Sequence, residues 1–256
     1  MNERELLDHA INFARLGGDH TLTYFRKGLN VIRKSDDSPV TIADREAEQI
    51  IRNEIQRIFP DHGIIGEEYG ITNPDARIKW ILDPIDGTIS FIHGIPLYTT
   101  LIGILVDDNP VAGVIYAPAM DEMCEGSATL GTRLNGKAVK VRTCTELSEA
   151  TLITTDRKNI RKHGFEMGIN EMMKIVKVDR TWGDAYGHMM VATGRADVMF
   201  DPILNIWDAA ALMPVLQGAG GHFVDVYGRA NIHTGNGISI VDGLKDTVLK
   251  IIQNNQ

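Results

Sequence analysis

Two aspartates and a Gly-Thr pair fall within one six-residue stretch of WILDPIDGTISFIHG, residues 80–94: Asp83, Asp86, Gly87 and Thr88. Trp80, Ile81 and Leu82 have the composition of a buried strand. That strand should stop at Asp83, because Pro84 lacks an N–H and fixes its own φ. Glycine at 87 lets the chain turn sharply and lets another atom approach the backbone closely. Two acids at a strand end, beside N–H groups that open a helix, can hold cations and a phosphate side by side. The same residues also describe an ordinary Asp-Gly turn with two solvated acids, so the rest of the chain has to decide.

Further acids stand at comparable places. GIIGEEYG reads as a short apolar strand ending in Glu67-Glu68, which alone would be a solvated loop. If that strand and the next end together, three or four carboxylates converge on one rim, a costly arrangement without cations. Asp44 lies three residues after Thr41, the spacing of a capping box. The sharper alternative puts Asp44 beside a metal site, polarising a water; spacing alone favours the cap. Asp208 falls in the first turn of a buried helical pattern, where the helix dipole already favours a carboxylate. His93 and His188 are lone histidines and are assigned no role.

The elements that must position these groups follow from periodicity. Residues 3 to about 27 form an amphipathic helix, with Gly17-Gly18 marking close packing against another element. The segment GLNVIRKSDDSP reads as a short extended piece and a polar loop. A second helix starts near Thr41 and is ended by Pro60-Asp61-His62-Gly63. Residues 97–142 change to β-branched apolar runs, with turn signals at Asp107-Asp108-Asn109-Pro110 and Asn135-Gly136, and form an antiparallel sheet. After Thr145 come a strand at TLITT, a helix over 160–174, a small-residue helix from Asp184 to Ala192, a strand at ADVMF, a buried helix through Ala209–Leu216 and a last amphipathic helix. Pro214 should kink its helix unless the freed carbonyl finds another partner. An antiparallel block between helix-rich segments gives a layered α/β or α+β architecture.

The chain of 256 residues suits one large domain or two tightly joined lobes. Its net charge of −8 argues against nucleic acid, whose binders carry basic faces, and an acidic protein that handles phosphate would need cations to reconcile the charges. The two cysteines, Cys124 and Cys144, form no CxxC pair or zinc spacing and read as reduced thiols. The charged N-terminus lacks the apolar core of a signal peptide, and no apolar run approaches membrane-spanning length, so a cytoplasmic location away from membranes is expected.

GEE at 66–68, DPIDGT at 83–88, WDAA at 207–210 and GAGG at 218–221 occur in that order. Together they resemble the inositol-monophosphatase-like family of magnesium-dependent, lithium-sensitive phosphatases, over essentially the whole chain. The resemblance implies a layered αβαβα sandwich of the inositol monophosphatase and fructose-1,6-bisphosphatase type, and a single phosphatase domain over 1–256. Its N-terminal lobe, about 1–142, would carry the metal motifs, and its C-terminal lobe, about 143–256, the WDAA motif and substrate pocket. Carried over by position, Glu67, Asp83, Asp86 and Asp208 would be carboxylate ligands of two or three Mg²⁺ ions, with the Ile85 carbonyl. Gly87 and Thr88 would bind phosphate through backbone N–H groups. Thr88 and Asp44 would orient and deprotonate a metal-activated water, with Glu67 counted among the catalytic groups. This reverses the preference for Asp44 as a mere cap.

Within the family, TWGDAYGHMMVATGRADVMFDP and ALMPVLQGAGG look more like the histidinol-phosphate phosphatases, although several of these carry Lys where this chain has Ile89. That implies hydrolysis of L-histidinol phosphate to L-histidinol and phosphate, in histidine biosynthesis. The alternatives are an inositol monophosphatase, a broad sugar-phosphate phosphatase, or a silent metal- or phosphate-binding relative; the last is opposed by the presence of every acidic ligand. Asp201 stands where the family places an acid against the substrate's organic part, and Asp184 stands near the same pocket. Both also have structural explanations, Asp201-Pro202 as a loop start and Asp184 as a helix cap. Inhibition by Li⁺ and a homodimeric state are further implications of the resemblance.

Overall fold

The computed structural model describes residues 2–27, 32–33 and 39–255. Eight helices are present among them: α1 (Glu3–Thr21), α2 (Ile42–Ile58), α3 (Thr88–Ile92), α4 (Arg157–Lys162), α5 (Glu166–Ile175), α6 (Ala185–Ala192), α7 (Ile206–Gly218) and α8 (Lys245–Gln253). The first helix is shorter than its pattern suggests, giving way after Thr21 to successive turns. The single helix expected over 160–174 is two, broken at Gly164, whose φ of 83° is left-handed. Of the GLNVIRKSDDSP segment, only Ile32–Arg33 and Pro39 fall within the described residues, in the paired strands β1 (Ile32–Arg33) and β2 (Pro39–Val40); the polar loop lies outside them.

The large sheet consists of β3 (Gly63–Gly66), β4 (Gly70–Thr72), β5 (Ile78–Asp86), β6 (Thr99–Val106), β7 (Asn109–Ala117), β8 (Glu122–Ser127), β9 (Gly131–Leu134) and β10 (Lys137–Val139). Its strand order is β10-β9-β8-β7-β6-β5-β3-β4, antiparallel except for the parallel pair β3–β5. The two expected turns are present. Asp107 and Asp108 between β6 and β7, and Asn135 and Gly136 between β9 and β10, all have positive φ, as tight hairpins of right-twisted strands require. The smaller sheet holds β11 (Thr151–Thr154), β12 (Val178–Arg180), β13 (Val198–Asp201), β14 (His222–Val224) and β15 (Gly237–Ile240) in the order β12-β11-β13-β15-β14.

Helices α1 and α2 cover one face of the large sheet; α6 and α7 lie between the two sheets; α5 and α8 pack on the outer side of the smaller one. This is the expected αβαβα layering. The helices packed between sheets have no polar face, and Ala209 to Leu216 of α7 are buried without interruption. That helix runs through Pro214 without breaking.

Small residues set the distances between layers. Gly103 and Gly113 face each other across β6 and β7. A Cβ on Gly103 would lie 2.6 Å from the Ala210 side chain, and one on Gly113 only 2.2 Å from the Ala211 carbonyl oxygen. Ala210, the last residue of WDAA, and Ala211 after it therefore press onto a glycine groove in the sheet. This close approach brings Asp208, at the start of the same helix, to the end of β5. On the opposite face a Cβ at Gly17 would strike Ile51 at 2.4 Å, confirming close packing of α1 on α2.

Candidate active site

Because β3 and β5 are parallel neighbours, with Gly66 opposite Leu82, Glu67 and Asp83 emerge side by side. Contrary to expectation, β5 does not end at Pro84. It continues to Asp86, with a shift of register between Asp83 and Asp86. The proline sits inside that irregularity, where no ladder N–H is required of it, and its carbonyl accepts a hydrogen bond from the Thr100 hydroxyl at 2.8 Å. The bulge turns both acids toward one end of the sheet. Gly87 then caps α3 with a φ of 79°.

Asp83, Asp86 and Asp208 each offer a carboxylate oxygen within 4.8 Å of the others. Asp83 is buried, whereas Asp86 and Asp208 keep an open side. Each is also anchored by the backbone. Asp83 Oδ1 accepts the Ile85 N–H at 3.0 Å, Asp86 Oδ2 the Ala185 N–H at 2.7 Å, and Asp208 Oδ2 the Asn205 N–H at 2.6 Å. Asp208 thus completes a capping box with Asn205 and still reaches the cluster. The Asp44 cap is likewise real: its Oδ2 accepts from the Thr41 N–H at 2.7 Å and the Thr41 hydroxyl at 2.6 Å. Asp44 is only 1% exposed and does not line the cavity beside the cluster, although the charge of Glu67 reaches it.

That cavity, of about 700 Å³, is lined by seven carboxylates: Glu67, Asp83, Asp86, Asp156, Asp184, Asp201 and Asp208. No basic side chain lines it among the described residues. Thr88, Gly87 and the Ile85 backbone also face it, and the Thr88 hydroxyl donates to the Ile85 carbonyl at 3.1 Å. Asp184 stands at the N-cap of α6 but makes no side-chain cap, and the first N–H of that helix, from Ala185, is taken by Asp86. Its carboxylate instead lies against Gly87, where an added Cβ would sit 2.8 Å from Asp184 Oδ2. Asp201, at the end of β13, accepts the Ile203 N–H at 3.2 Å and a hydrogen bond from Thr155. It is therefore the expected loop-starting acid and a wall of the cavity as well.

Sequence patterns missed Asp156 and Asn159, which add a second polar wall at the start of α4. Only one signal pointed there: TLITT, like the other site-forming strands, is followed closely by an acid. The two lone histidines have local partners. His188 is buried against Ser239 at 2.6 Å, and His93 pairs with the Ile89 carbonyl at 2.8 Å. Both cysteines are free thiols.

Crowding without counter-charge shows in the proton affinities. Burial, then the charges of Glu67, Asp86 and Asp208, push Asp83 well above the carboxylate range, and its hydrogen bond to Asp208 raises it further. Asp86 is raised by burial and by Asp184 and Asp208, and Asp201 by burial and Asp184. Asp184 is raised by burial. Asp208 is pushed up to about 7 and Asp44 to about 6, burial leading in both. A hard divalent cation fits this all-oxygen donor set and would supply the missing positive charge.

A testable consequence follows for the metal-free protein. The folded pKa values of Asp44 and Asp208 lie above the unfolded value of 3.8, so the folded state binds protons that the unfolded chain has released. Stability then falls as pH rises from about 4 to about 7. The chelated protein is expected to melt several degrees higher at pH 5 than at pH 8, with added Mg²⁺ raising the melting temperature more at pH 8. Scanning calorimetry with and without Mg²⁺ at both pH values checks this.

A layered αβαβα sandwich with a carboxylate cluster at the end of its large sheet defines a class of phosphatases. The model of the inositol monophosphatase family matches residues 2–256, and the chain belongs to that family, whose members depend on metal ions. A histidinol-phosphatase of Chlorobaculum parvum is 41% identical over 233 residues, 91% of this chain and 90% of the relative. Inositol monophosphatase 3 of Solanum lycopersicum is 31% identical over 258 residues, 97% of this chain and 96% of the relative. Among solved structures, an inositol monophosphatase from Zymomonas mobilis matches with a TM-score of 0.88 and 33% identity, covering 99% of each chain. Among the described residues, no helix is long and apolar enough to cross a membrane.

Proposed function

We propose that this phosphatase is a Mg²⁺-dependent phosphomonoester hydrolase acting on histidinol phosphate. The observation that carries the substrate is the cavity's charge: seven carboxylates and, among the described residues, no cation. Glu67, Asp83, Asp86 and Asp208, with the Ile85 carbonyl, would hold the metal. Bound there, Mg²⁺ neutralises the phosphate and makes water a better nucleophile. That assignment leaves Asp156, Asp184 and Asp201 for the organic half of the substrate. A primary ammonium or a protonated imidazole gains charge-assisted hydrogen bonds from them; a neutral polyol gains little.

The protein's own groups would do the rest. The N–H groups of Gly87 and Thr88, at the turn after Asp86, would bind phosphate oxygens. The Thr88 hydroxyl donates its hydrogen bond to the Ile85 carbonyl, so its oxygen lone pairs are left to accept one from the attacking water. Asp44, raised to about 6 by burial, does not line the cavity, so in this reading it would assist as a base from behind the cavity wall, where the charge of Glu67 reaches it. Li⁺ is expected to inhibit, by competition for the same oxygens. A homodimer and a cytoplasmic location are part of the same reading, supported by the family resemblance. The second reading, inositol monophosphatase or a broader sugar-phosphate phosphatase, is favoured by the relatives that bear the inositol name.

The test is a panel of kcat/KM values on histidinol phosphate, inositol-1-phosphate, fructose-1,6-bisphosphate, a 3′-phosphonucleotide and p-nitrophenyl phosphate. Hydrogen bonds to charged groups contribute roughly 1.5–3 kcal/mol. Histidinol phosphate should therefore exceed inositol-1-phosphate by at least about tenfold, at ~1.4 kcal/mol per decade. Asp201→Asn should erode that preference more than it slows p-nitrophenyl phosphate. Equal losses on all substrates would mean that Asp201 supports the fold or the metals.

A further inference from the structure

We propose that Glu48, held by Arg52, is the positioning residue that fixes the Glu67 segment relative to Asp44. The proposal rests on the metal-dependent hydrolysis argued above. Asp44, Glu48 and Arg52 are spaced four residues apart along α2, so they form one stripe on a single face of the helix. All three are buried, with Glu48 0% and Arg52 4% exposed.

The Glu48 carboxylate accepts three hydrogen bonds: from the Glu68 N–H at 2.7 Å, the Tyr69 N–H at 3.1 Å and Arg52 Nε at 2.7 Å. Arg52 in turn donates from Nη1 to the Thr72 hydroxyl at 3.1 Å and from Nη2 to the Gly70 carbonyl. Apart from the pair itself, every partner lies in residues 68–72, the segment that begins immediately after Glu67. On its other side, the Glu67 N–H is bonded to the Leu82 carbonyl at 3.2 Å, one residue before Asp83. Gly66 leaves the room this needs, since a Cβ there would sit 2.0 Å from Glu48 Oε1. The chain is thus tied to β5 at Glu67 and to α2 just beyond it, and α2 carries Asp44 one turn from Glu48.

An ion pair this deeply buried is weak evidence of stabilisation, because apolar residues of similar volume often serve stability as well or better. What apolar residues cannot do is accept the N–H groups of Glu68 and Tyr69. Loss of a group that orients a metal ligand without touching the metal typically costs about 10–100-fold in metal affinity or activity. The pair therefore belongs to the site, although it lies behind it.

The experiment replaces both charges together, Glu48→Met with Arg52→Met, which avoids stranding one buried charge. Mg²⁺ affinity is measured by titration calorimetry on the full-length protein, alongside kcat and KM at saturating Mg²⁺ and a thermal melt. The expected result is a cooperatively folded protein whose Mg²⁺ dissociation constant rises about tenfold or more, with kcat lowered and KM little changed. A folded double variant with wild-type Mg²⁺ affinity and kcat would overturn the proposal and leave the pair a purely structural feature. Glu48→Asp is the second variant. It keeps the charge beside Arg52 but withdraws the carboxylate from both N–H groups, so it too should bind Mg²⁺ more weakly. If the double variant does not melt cooperatively, wild-type Mg²⁺ affinity in Glu48→Asp overturns the proposal. If the wild-type protein itself neither binds Mg²⁺ nor hydrolyses phosphate monoesters, the functional reading fails and this proposal falls with it.

Discussion

Asp83→Asn is expected to lower turnover by at least about a thousandfold while raising the melting temperature of the metal-free protein. The first effect follows from the position of Asp83 in the oxygen cluster with Asp86 and Asp208. A bound metal supplies several kcal/mol of transition-state charge stabilisation, and about 1.4 kcal/mol corresponds to a factor of ten. The second effect follows from crowding. Buried among Glu67, Asp86 and Asp208, Asp83 has to take up a proton when the metal-free chain folds, and a neutral amide does not. The amide oxygen can still accept the Ile85 N–H, so the local backbone need not change. Activity assays in saturating Mg²⁺ and melts in chelator measure the two effects separately. A fall in both turnover and stability would make Asp83 a scaffold residue.

Thr88→Ala is expected to lower kcat about a hundredfold to ten-thousandfold, the range typical of a positioned proton-transfer group, with little change in KM. Orienting a water acts mainly in the transition state, so it should not appear as a binding defect. Asp44→Asn should act in the same direction. Its two roles can be separated, because the loss of a cap costs about 1 kcal/mol of stability whereas the loss of a base costs turnover. An asparagine oxygen can still accept the Thr41 N–H, so the cap survives in part while the base is lost. If only KM moved in Thr88→Ala, Thr88 would be a binding residue. If Asp44→Asn lost stability but kept its turnover, Asp44 would be a cap alone.

Much of this site was legible in the sequence because its parts are local. DPIDGT places two acids and a left-handed glycine within a few residues, and the Thr41-Asp44 spacing is a capping box in the structure. WDAA was legible as helix with an acid in its first turn, but the reason for Ala210, and for Ala211 after it, was not. That reason lies in Gly103 and Gly113, about a hundred residues upstream, which come opposite one another only when β6 pairs with β7. Asp156 was marked only by following a strand, for the same reason: nothing local to TLITT says that α4 will face β5 across a cavity. Local rules also misled at Pro84. A proline does end a regular ladder, but a bulge removes the need for its N–H and lets the strand continue. Nothing in the sequence singled out the Glu48–Arg52 pair; only the packing of α2 against the β3–β4 turn buries it and gives it partners.

The central claim is that the carboxylate cluster acts through a bound divalent cation on a cationic phosphate monoester. The most direct test is phosphate release from histidinol phosphate by chelator-treated protein, titrated with Mg²⁺ on one preparation. The expected result is no detectable hydrolysis in chelator and full recovery as Mg²⁺ is returned. Undiminished hydrolysis after thorough removal of metal would contradict the account.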